Sequence, residues 1–280
     1  MPTAPSPEPQ HRTLTPSQLH TLQQHGDELV VLDLRGVSAE EFHASHLPGA
    51  HRLAPTAEAL RVATLTPGLL TELLDGLTVR PTVRVLAHGR TAGRAAGHLC
   101  WLLERAGHPR TALLDGGYDA WWRLNLPLDR DEVAASGPQA DGLGEDGMGA
   151  GGLAAGDLAA GDLGAGDLGG DPGPMTVEDD AHLATLRDRG QVVDVSSRTQ
   201  FRRRSAAQPA EGAPTNLPAV TLADQAGRLR SVDEVLHLLR RAHVDPYQPF
   251  AVCGADLTTA AWAAYVTRRA GAHALLHVTG

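Results

Sequence analysis

The sequence predicts an α/β protein of two domains, each with a central, mainly parallel β-sheet flanked by helices. Strand-like apolar runs alternate with helix-length segments in both halves of the chain, and a Gly-, Ala- and Asp-rich stretch separates the halves. The chain has 280 residues, 42% of them hydrophobic, which is enough for two cores. We therefore expect a disordered N-terminus over 1–13, domains over 14–130 and 176–280, and a long disordered linker over 131–175.

The first domain contains two short apolar runs that predict buried parallel strands, Glu28–Leu34 and Val83–Ala87. After the second run, Thr91–Ala106 places its Ala and Leu side chains on one helical face and is followed by Gly107. We therefore expect an amphipathic helix there, followed by a short strand at Thr111–Leu114.

The second domain repeats this order. Strands are predicted at Gln191–Val195 and Phe250–Cys253, and helices are predicted through Val232–Ala242 and over Thr258–Ala270, the latter ending at Gly271. Because the order of elements is the same in both halves, gene duplication is the economical account.

The linker is acidic and repetitive. Gly137–Pro174 contains seven acidic residues and no Lys or Arg, and it repeats the pentapeptides AAGDL, AAGDL and GAGDL. Calcium β-rolls repeat every nine residues instead, and three units are too few to stack the core of a pentapeptide solenoid. A flexible low-complexity linker is the interpretation that the composition favours.

Composition argues against several functional classes. A formal net charge of -9 provides no electrostatic surface for nucleic acid or an anionic membrane. With only two cysteines, a disulfide framework and a cysteine-rich zinc site are excluded, and His43, His46 and His51 lack Cys or carboxylate partners at ligand spacing. No apolar run is long enough to span a membrane, and the N-terminus lacks the pattern of a signal peptide. We expect a cytoplasmic protein with no metal and no cofactor.

Two strings in the first half carry a family resemblance. VVLDLRGVSAEEFHASHLPGAHRL resembles the first signature of the rhodanese family, and TALLDGGYDAWWRLNLPL is similar to its second signature. The matching positions are Asp33, Arg35, Glu41, Phe42, His46, Leu47, Pro48, Gly49, Ala50, Asp115, Gly116, Gly117, Trp121 and Pro127. Between these strings, Gly89 stands where the family keeps its nucleophilic cysteine. The resemblance therefore implies two rhodanese-like domains, the first a non-catalytic partner as in tandem-domain sulfurtransferases.

The second half resembles the catalytic domain of thiosulfate and 3-mercaptopyruvate sulfurtransferases. The resemblance places Cys253 at the nucleophile position, in a loop similar to the Cys-Gly-Ser-Gly-Val-Thr form. It implies hydrogen-bond donors to the substrate from Gly254, Ala255, Leu257 and Thr258. The arginines of the RRR run are candidates for binding the anionic substrate through their positive charge. Those cations are Arg202, Arg203 and Arg204.

The chemistry implied is sulfur transfer through a persulfide. A thiol at the end of a strand, followed by a tight loop into a helix, lies among backbone N–H groups that favour the thiolate. The thiolate would take sulfur from a small anionic donor, thiosulfate or 3-mercaptopyruvate, and pass it to cyanide or a thiol acceptor. We expect a monomer or a homodimer. A phosphatase is not expected, because Thr259 stands where Cys-based phosphatases need Arg.

The second domain also departs from the family pattern. Asp256 replaces a loop glycine and should raise the thiol pKa, Gln200 stands where the family has Arg, and the Asp-x-Arg pair has become Asp194 and Ser196. No second Asp-Gly segment with its Trp precedes Gly280, so we expect the second domain to be trimmed at its last helix. The competing hypothesis is a degenerate, inactive pair that binds a protein or carries a persulfide.

Two other side chains have alternative interpretations. His88 lies beside the vacant nucleophile position, and it either lines a residual anion pocket with Arg90 and Arg94 or packs at the surface or domain interface. Cys100 lies on the apolar face of its predicted helix, so we expect it to pack in the core.

Overall fold

The computed structural model describes residues 13–56, 59–61, 64, 70, 82–91, 93–130, 175–207 and 213–278. The disorder predicted for the N-terminus and the linker concerns residues outside these ranges, with two exceptions. Thr13, the last residue of the predicted disordered N-terminus, begins a strand, and Met175, the last residue of the predicted linker, is buried in the core.

The first domain is built on a five-stranded parallel sheet. Its strands are β1 (Thr13–Leu14), β2 (Leu29–Asp33), β3 (Ala50–Arg52), β4 (Arg84–His88) and β5 (Thr111–Leu114). Their order across the sheet is β1-β5-β4-β2-β3, which places β4 at the centre. The carboxyl ends of all five strands therefore lie at one edge.

The first half contains the helices α1 (Pro16–His25), α2 (Ala39–Ala44), α3 (Arg94–Arg105) and α4 (Gly117–Arg123), and residues 59–61, 64 and 70 are also helical. Reciprocal capping boxes begin α1 and α2, where the Thr15 and Ser38 hydroxyls accept from the backbone N–H groups of Gln18 and Glu41. These caps fix where each helix begins after its preceding loop.

The second domain has a four-stranded parallel sheet of β6 (Val192–Asp194), β7 (Thr215–Asn216), β8 (Phe250–Cys253) and β9 (Ala274–Leu276). The order β7-β6-β8-β9 is the same as the order β3-β2-β4-β5 of the first sheet. A parallel bridge from Thr176 to Leu276 even stands where β1 pairs with β5 in the first domain. The repeated order of elements predicted from the sequence is thus present in the structure.

The helices of the second half are α5 (Asp180–Asp188), α6 (Arg198–Ala207), α7 (Val232–Arg241) and α8 (Leu257–Arg269), with a 3-10 turn at Ala219–Leu222. The cap of α7 is a third reciprocal capping box, between Ser231 and Glu234. The mixed α/β class predicted from the sequence is confirmed.

Most predicted elements exist, with shifted ends. The strands Thr111–Leu114 and Phe250–Cys253 are confirmed as predicted. The helix expected from Thr91 begins only at Arg94, because Gly93 before it has a φ of 54° and so adopts the left-handed conformation. The other predicted elements differ from the structure by one or two residues at their ends.

The two domains pack together through α3 and α8. Each helix is buried continuously, along Ala96–Glu104 and Thr259–Thr267, and residues from both sheets join one apolar cluster around them. A helix buried on all sides is expected where two cores meet. The two helices approach closely at Gly97, where a Cβ would overlap the ring of Trp262.

We expect Gly97→Ala to destabilise the protein by about 1–3 kcal/mol, because the new methyl group overpacks a close helix contact. The Trp262 ring is only 2% exposed and has little room to move. The midpoint of chemical denaturation measures the effect, and the same substitution in a Trp262→Leu background should cost less. A gain of stability, as expected from the higher helix propensity of Ala alone, would contradict the close contact.

Candidate functional site

The candidate site lies where the central strands end. In parallel α/β sheets, ligands bind outside the carboxyl ends of the strands. Here β4 is followed by the loop 89–93, which leads into α3, and β8 is followed by the loop 254–256, which leads into α8. The two loops occupy equivalent places in the two domains.

The sheet register shows which residue of the first domain is equivalent to Cys253, and it differs by one residue from the sequence comparison. Asp33 pairs with His88 in the first sheet, and Asp194 pairs with Cys253 in the second. Cys253 is therefore the counterpart of His88, and the position equivalent to Gly89 is Gly254. The sequence expectation that Gly89 stands at the nucleophile position of the first domain is therefore wrong, and the residue at that position is His88.

The surroundings of Cys253 agree with this register. Its side chain packs against the apolar cluster that includes Leu183 and Leu186 of α5, and its thiol donates to the Val193 carbonyl at 3.5 Å. Burial, assisted by the negative charge of Asp194, raises the pKa of the Cys253 thiol to about 12. This differs from the sequence expectation of a thiolate favoured by the helix N-terminus.

Two arginines partly offset this effect on the pKa of Cys253. The charges of Arg204 and of Arg187 both favour the thiolate, although burial and Asp194 outweigh them. Sequence reasoning missed Arg187, which lies on α5 and is far from Cys253 in the chain. In the sequence, Arg187 is recognisable only as the residue after the apolar Leu186, and this position does not show that its charge acts on Cys253.

One donor and one acceptor of the loop 254–256 are engaged within the protein. The Ala255 N–H donates to the Ser196 hydroxyl at 2.7 Å. Asp256 is the N-cap of α8, where its carboxylate accepts from the Thr259 N–H at 2.7 Å. The acidic residue that departs from the family pattern thus has a structural role, and it places a negative charge at the helix N-terminus.

Arg204 compensates for the lost Asp-x-Arg pair. In the first domain the Arg35 Nε donates to Asp33 Oδ2 at 2.7 Å. Ser196 has replaced the equivalent arginine in the second domain, and Arg204 reaches back from α6 to donate to Asp194 Oδ2 at 2.7 Å and to the Ser196 hydroxyl. The same guanidinium donates to the Gly254 carbonyl at 3.3 Å and so ties α6 to the loop.

The other predicted binding residues are less closely involved. Arg202 and Arg203 are exposed on α6, and in the described part of the chain neither forms a hydrogen bond or ion pair. Leu257 begins α8 and packs partly against the shared apolar cluster. Thr258 makes a contact across the domain interface, with His98 of α3.

The equivalent loop of the first domain is fastened to α4. The carbonyls of Gly89 and Arg90 accept from the N–H groups of Tyr118 and Asp119, both at 2.9 Å. Gly117 lies so close to this loop that a Cβ would overlap the Gly89 carbonyl. No side chain except that of Gly can occupy the position without moving the loop.

His88 is a packing residue in this domain. It is fully buried, its Nε2 lies 3.8 Å from Asp33 Oδ2, and burial lowers its pKa. Arg90 and Arg94 are exposed and instead line a cleft of about 520 Å³ between the loop and residues 219–227 of the second domain. The structure therefore supports packing for His88, but in the buried sheet beside Asp33 rather than at the surface.

The remaining chemistry-bearing residues that the structure describes form no second centre. Cys100 is fully buried on α3, as predicted, and its thiol donates to the Ala112 carbonyl at 3.5 Å. Among the described residues, no three His, Cys, Asp or Glu side chains gather as metal ligands would. Within the same residues, every helix is too short or too polar to cross a bilayer.

Comparison with known proteins agrees with the fold and the two signatures. Residues 15–124 match the family of rhodanese-like domains. The chain is 34% identical over 120 residues to a thiosulfate sulfurtransferase of Azotobacter vinelandii, a match that covers 40% of this chain and 43% of the relative. It is 26% identical over 221 residues to the human 3-mercaptopyruvate sulfurtransferase, covering 76% of this chain and 60% of the relative.

A solved structure has the same fold over nearly the whole length. The crystal structure of SseA from Escherichia coli, described as a 3-mercaptopyruvate sulfotransferase with the rhodanese fold, aligns with a TM-score of 0.60 at 18% identity. The alignment covers 95% of this chain and 97% of SseA. The matches to the two curated relatives span less than two thirds of their lengths. These similarities identify residues 15–124 as a rhodanese-like domain and show the rhodanese fold over nearly the whole chain, with the same strand order in both halves.

Proposed function

We propose that the chain is a sulfurtransferase that moves sulfane sulfur from thiosulfate or 3-mercaptopyruvate to a thiophilic acceptor through Cys253. The observation that carries the proposal is the place of Cys253, at the carboxyl end of the central strand β8 and directly before the loop that begins α8. It is also the only one of the two cysteines that is not fully buried. The names of the relatives support the same chemistry.

The reaction has two steps. The Cys253 thiolate attacks the outer sulfur of thiosulfate, the S–S bond breaks, and sulfite leaves with the bonding electrons. The resulting persulfide is then attacked at its outer sulfur by cyanide or a thiol, which releases the Cys253 thiolate. Arg204 and Arg187 supply the positive charge that an anionic donor requires near this thiol.

Cyanide-dependent thiocyanate release from thiosulfate and, separately, from 3-mercaptopyruvate tests this function. We expect turnover by the wild-type chain to be lost in Cys253→Ala, because the sulfur acceptor is gone. Cys100→Ala is the matched control and should retain turnover, since this thiol is buried in the core. Equal rates from the wild type and the Cys253→Ala variant would refute the catalytic role.

A second candidate is a non-catalytic pair that binds a protein or carries a persulfide. It is favoured by the Ala255 N–H, which is engaged within the protein, and by the raised pKa of the Cys253 thiol, which opposes turnover at neutral pH. The two functions differ in turnover. A carrier would accept one sulfur atom per chain from a persulfide donor, as mass spectrometry would show, but it would release no thiocyanate above background.

The proposed setting follows from the thiol chemistry. Both cysteines are free, and a persulfide cycle needs a reduced thiol, so we propose that the protein works in the reducing cytoplasm. We also propose that it acts as a monomer or homodimer on a small anionic sulfur donor, without a metal or a cofactor.

A further inference from the structure

His98 connects the first domain to the candidate site of the second. It lies on α3, is fully buried, and has a hydrogen-bond partner on each ring nitrogen. Its Nε2 lies 2.8 Å from the Thr64 hydroxyl, and its Nδ1 lies 3.4 Å from the Thr258 hydroxyl. Thr258 is in the first turn of α8, two residues after the N-cap Asp256. A single imidazole thus bridges the domains where the loop 254–256 ends.

The partners of His98 determine its tautomer. The Thr64 hydroxyl donates its one proton to the Leu60 carbonyl at 2.8 Å, so its oxygen must accept from an N–H at Nε2. The Nδ1 atom then carries a lone pair and accepts from the Thr258 hydroxyl. Burial lowers the pKa of His98 to about 4, with the Asp256 carboxylate opposing this shift. The imidazole is therefore neutral near pH 7, so Nε2 keeps its proton for Thr64 and Nδ1 keeps its lone pair for Thr258.

The contact changes the role expected for Thr258. The resemblance implied that its hydroxyl donates to the substrate, yet its proton is directed to His98. The start of α8 is thereby held from the first domain. The other end of the loop is held from within the second domain, through the Ser196 hydroxyl on Ala255 and through Arg204 on Gly254.

We propose that His98 is a positioning residue for the candidate site, which acts by fixing Thr258 and with it the loop 254–256. The first domain has no thiol at its own loop, but in this way it takes part in the function of the second. The proposal rests on the proposed function of this loop in sulfur transfer, although His98 itself touches neither sulfur nor substrate.

Amide hydrogen exchange of residues 254–257 tests the positioning role in the intact chain. Thr258→Val removes the hydroxyl at nearly constant shape, and we expect these amides to exchange about three- to tenfold faster, as the loss of one hydrogen bond predicts. Thr258→Ser keeps the hydroxyl and should restore the wild-type exchange rates. Equal exchange in the Val and Ser variants would overturn the proposal.

Two further readouts separate positioning from simple stabilisation. Nitrogen-15 NMR of labelled histidine should show His98 as the Nε2–H tautomer, with no titration between about pH 5 and 8. In a His98→Gln background, Thr258→Val should cause no additional increase in exchange. A His98 that titrates near 6.5, or fully additive effects, would contradict the proposal. If exchange follows expectation while even the wild type releases no thiocyanate, the proposed function fails and the positioning of the loop stands.

Discussion

Replacing Arg35 by methionine should destabilise the protein by about 3–5 kcal/mol, because it leaves the buried Asp33 carboxylate without its partner. The Arg35 and Asp33 side chains are 7% and 1% exposed, and their closest atoms are 2.7 Å apart. Arg35 also donates to the Ser45 carbonyl at 2.8 Å and lies over the Tyr118 ring. The free energy of unfolding, from denaturant titration, measures the loss.

The duplicated domain provides the control for this prediction. Arg204 makes the equivalent ion pair with Asp194, but its side chain is 46% exposed. Water screens a pair of this kind, so Arg204→Met should cost only about 1–2 kcal/mol. Combining Arg35→Met with Asp33→Asn should recover part of the stability, since no unpaired charge remains. Equal losses for Arg35→Met and Arg204→Met would show that burial of the pair does not determine its contribution.

The sequence was informative about the fold because apolar runs report burial directly. Val83–Ala87 and Phe250–Cys253 are short and apolar, and each forms the centre of a parallel sheet, as strands buried on both faces do. The helix ends were less accurate where a backbone conformation decided them. Gly93 takes a left-handed conformation that delays the start of α3, and a composition pattern does not show this.

The candidate site was less predictable, because its contacts join residues far apart in sequence. A motif comparison names Gly89 as the first-domain counterpart of Cys253, whereas the sheet register gives His88, one residue earlier. The exchange of Ser196 for the usual arginine was visible in the sequence. That Arg204 would take over its ion pair, while Arg202 and Arg203 remain exposed, depends on the orientation of α6.

The raised pKa of Cys253 also makes stability depend on pH in a definite direction. The thiol titrates at about 12 in the folded protein, compared with 9.0 as its ordinary value. Between these values the folded chain binds a proton that the unfolded chain has lost, so the stability contributed by this group is complete below about pH 9 and decreases above it. An anionic thiolate at neutral pH would give the opposite dependence.

Alkylation of Cys253 in the folded protein should be about 1000-fold slower at pH 7 than alkylation of an ordinary thiol, because the thiolate is the nucleophile and a shift of the pKa from 9.0 to about 12 reduces its fraction by that factor. The rate with iodoacetamide should rise about tenfold per pH unit up to at least pH 10. A Cys100→Ala background leaves Cys253 as the only thiol. In that background Asp194→Asn should accelerate alkylation, since the carboxylate is the second cause of the raised pKa.

Rapid alkylation at pH 7 that reaches a plateau below pH 8 would instead mean that the loop donors and the arginines together outweigh burial. The thiol would then already be activated for sulfur transfer in the free protein, and the carrier hypothesis would lose its main support.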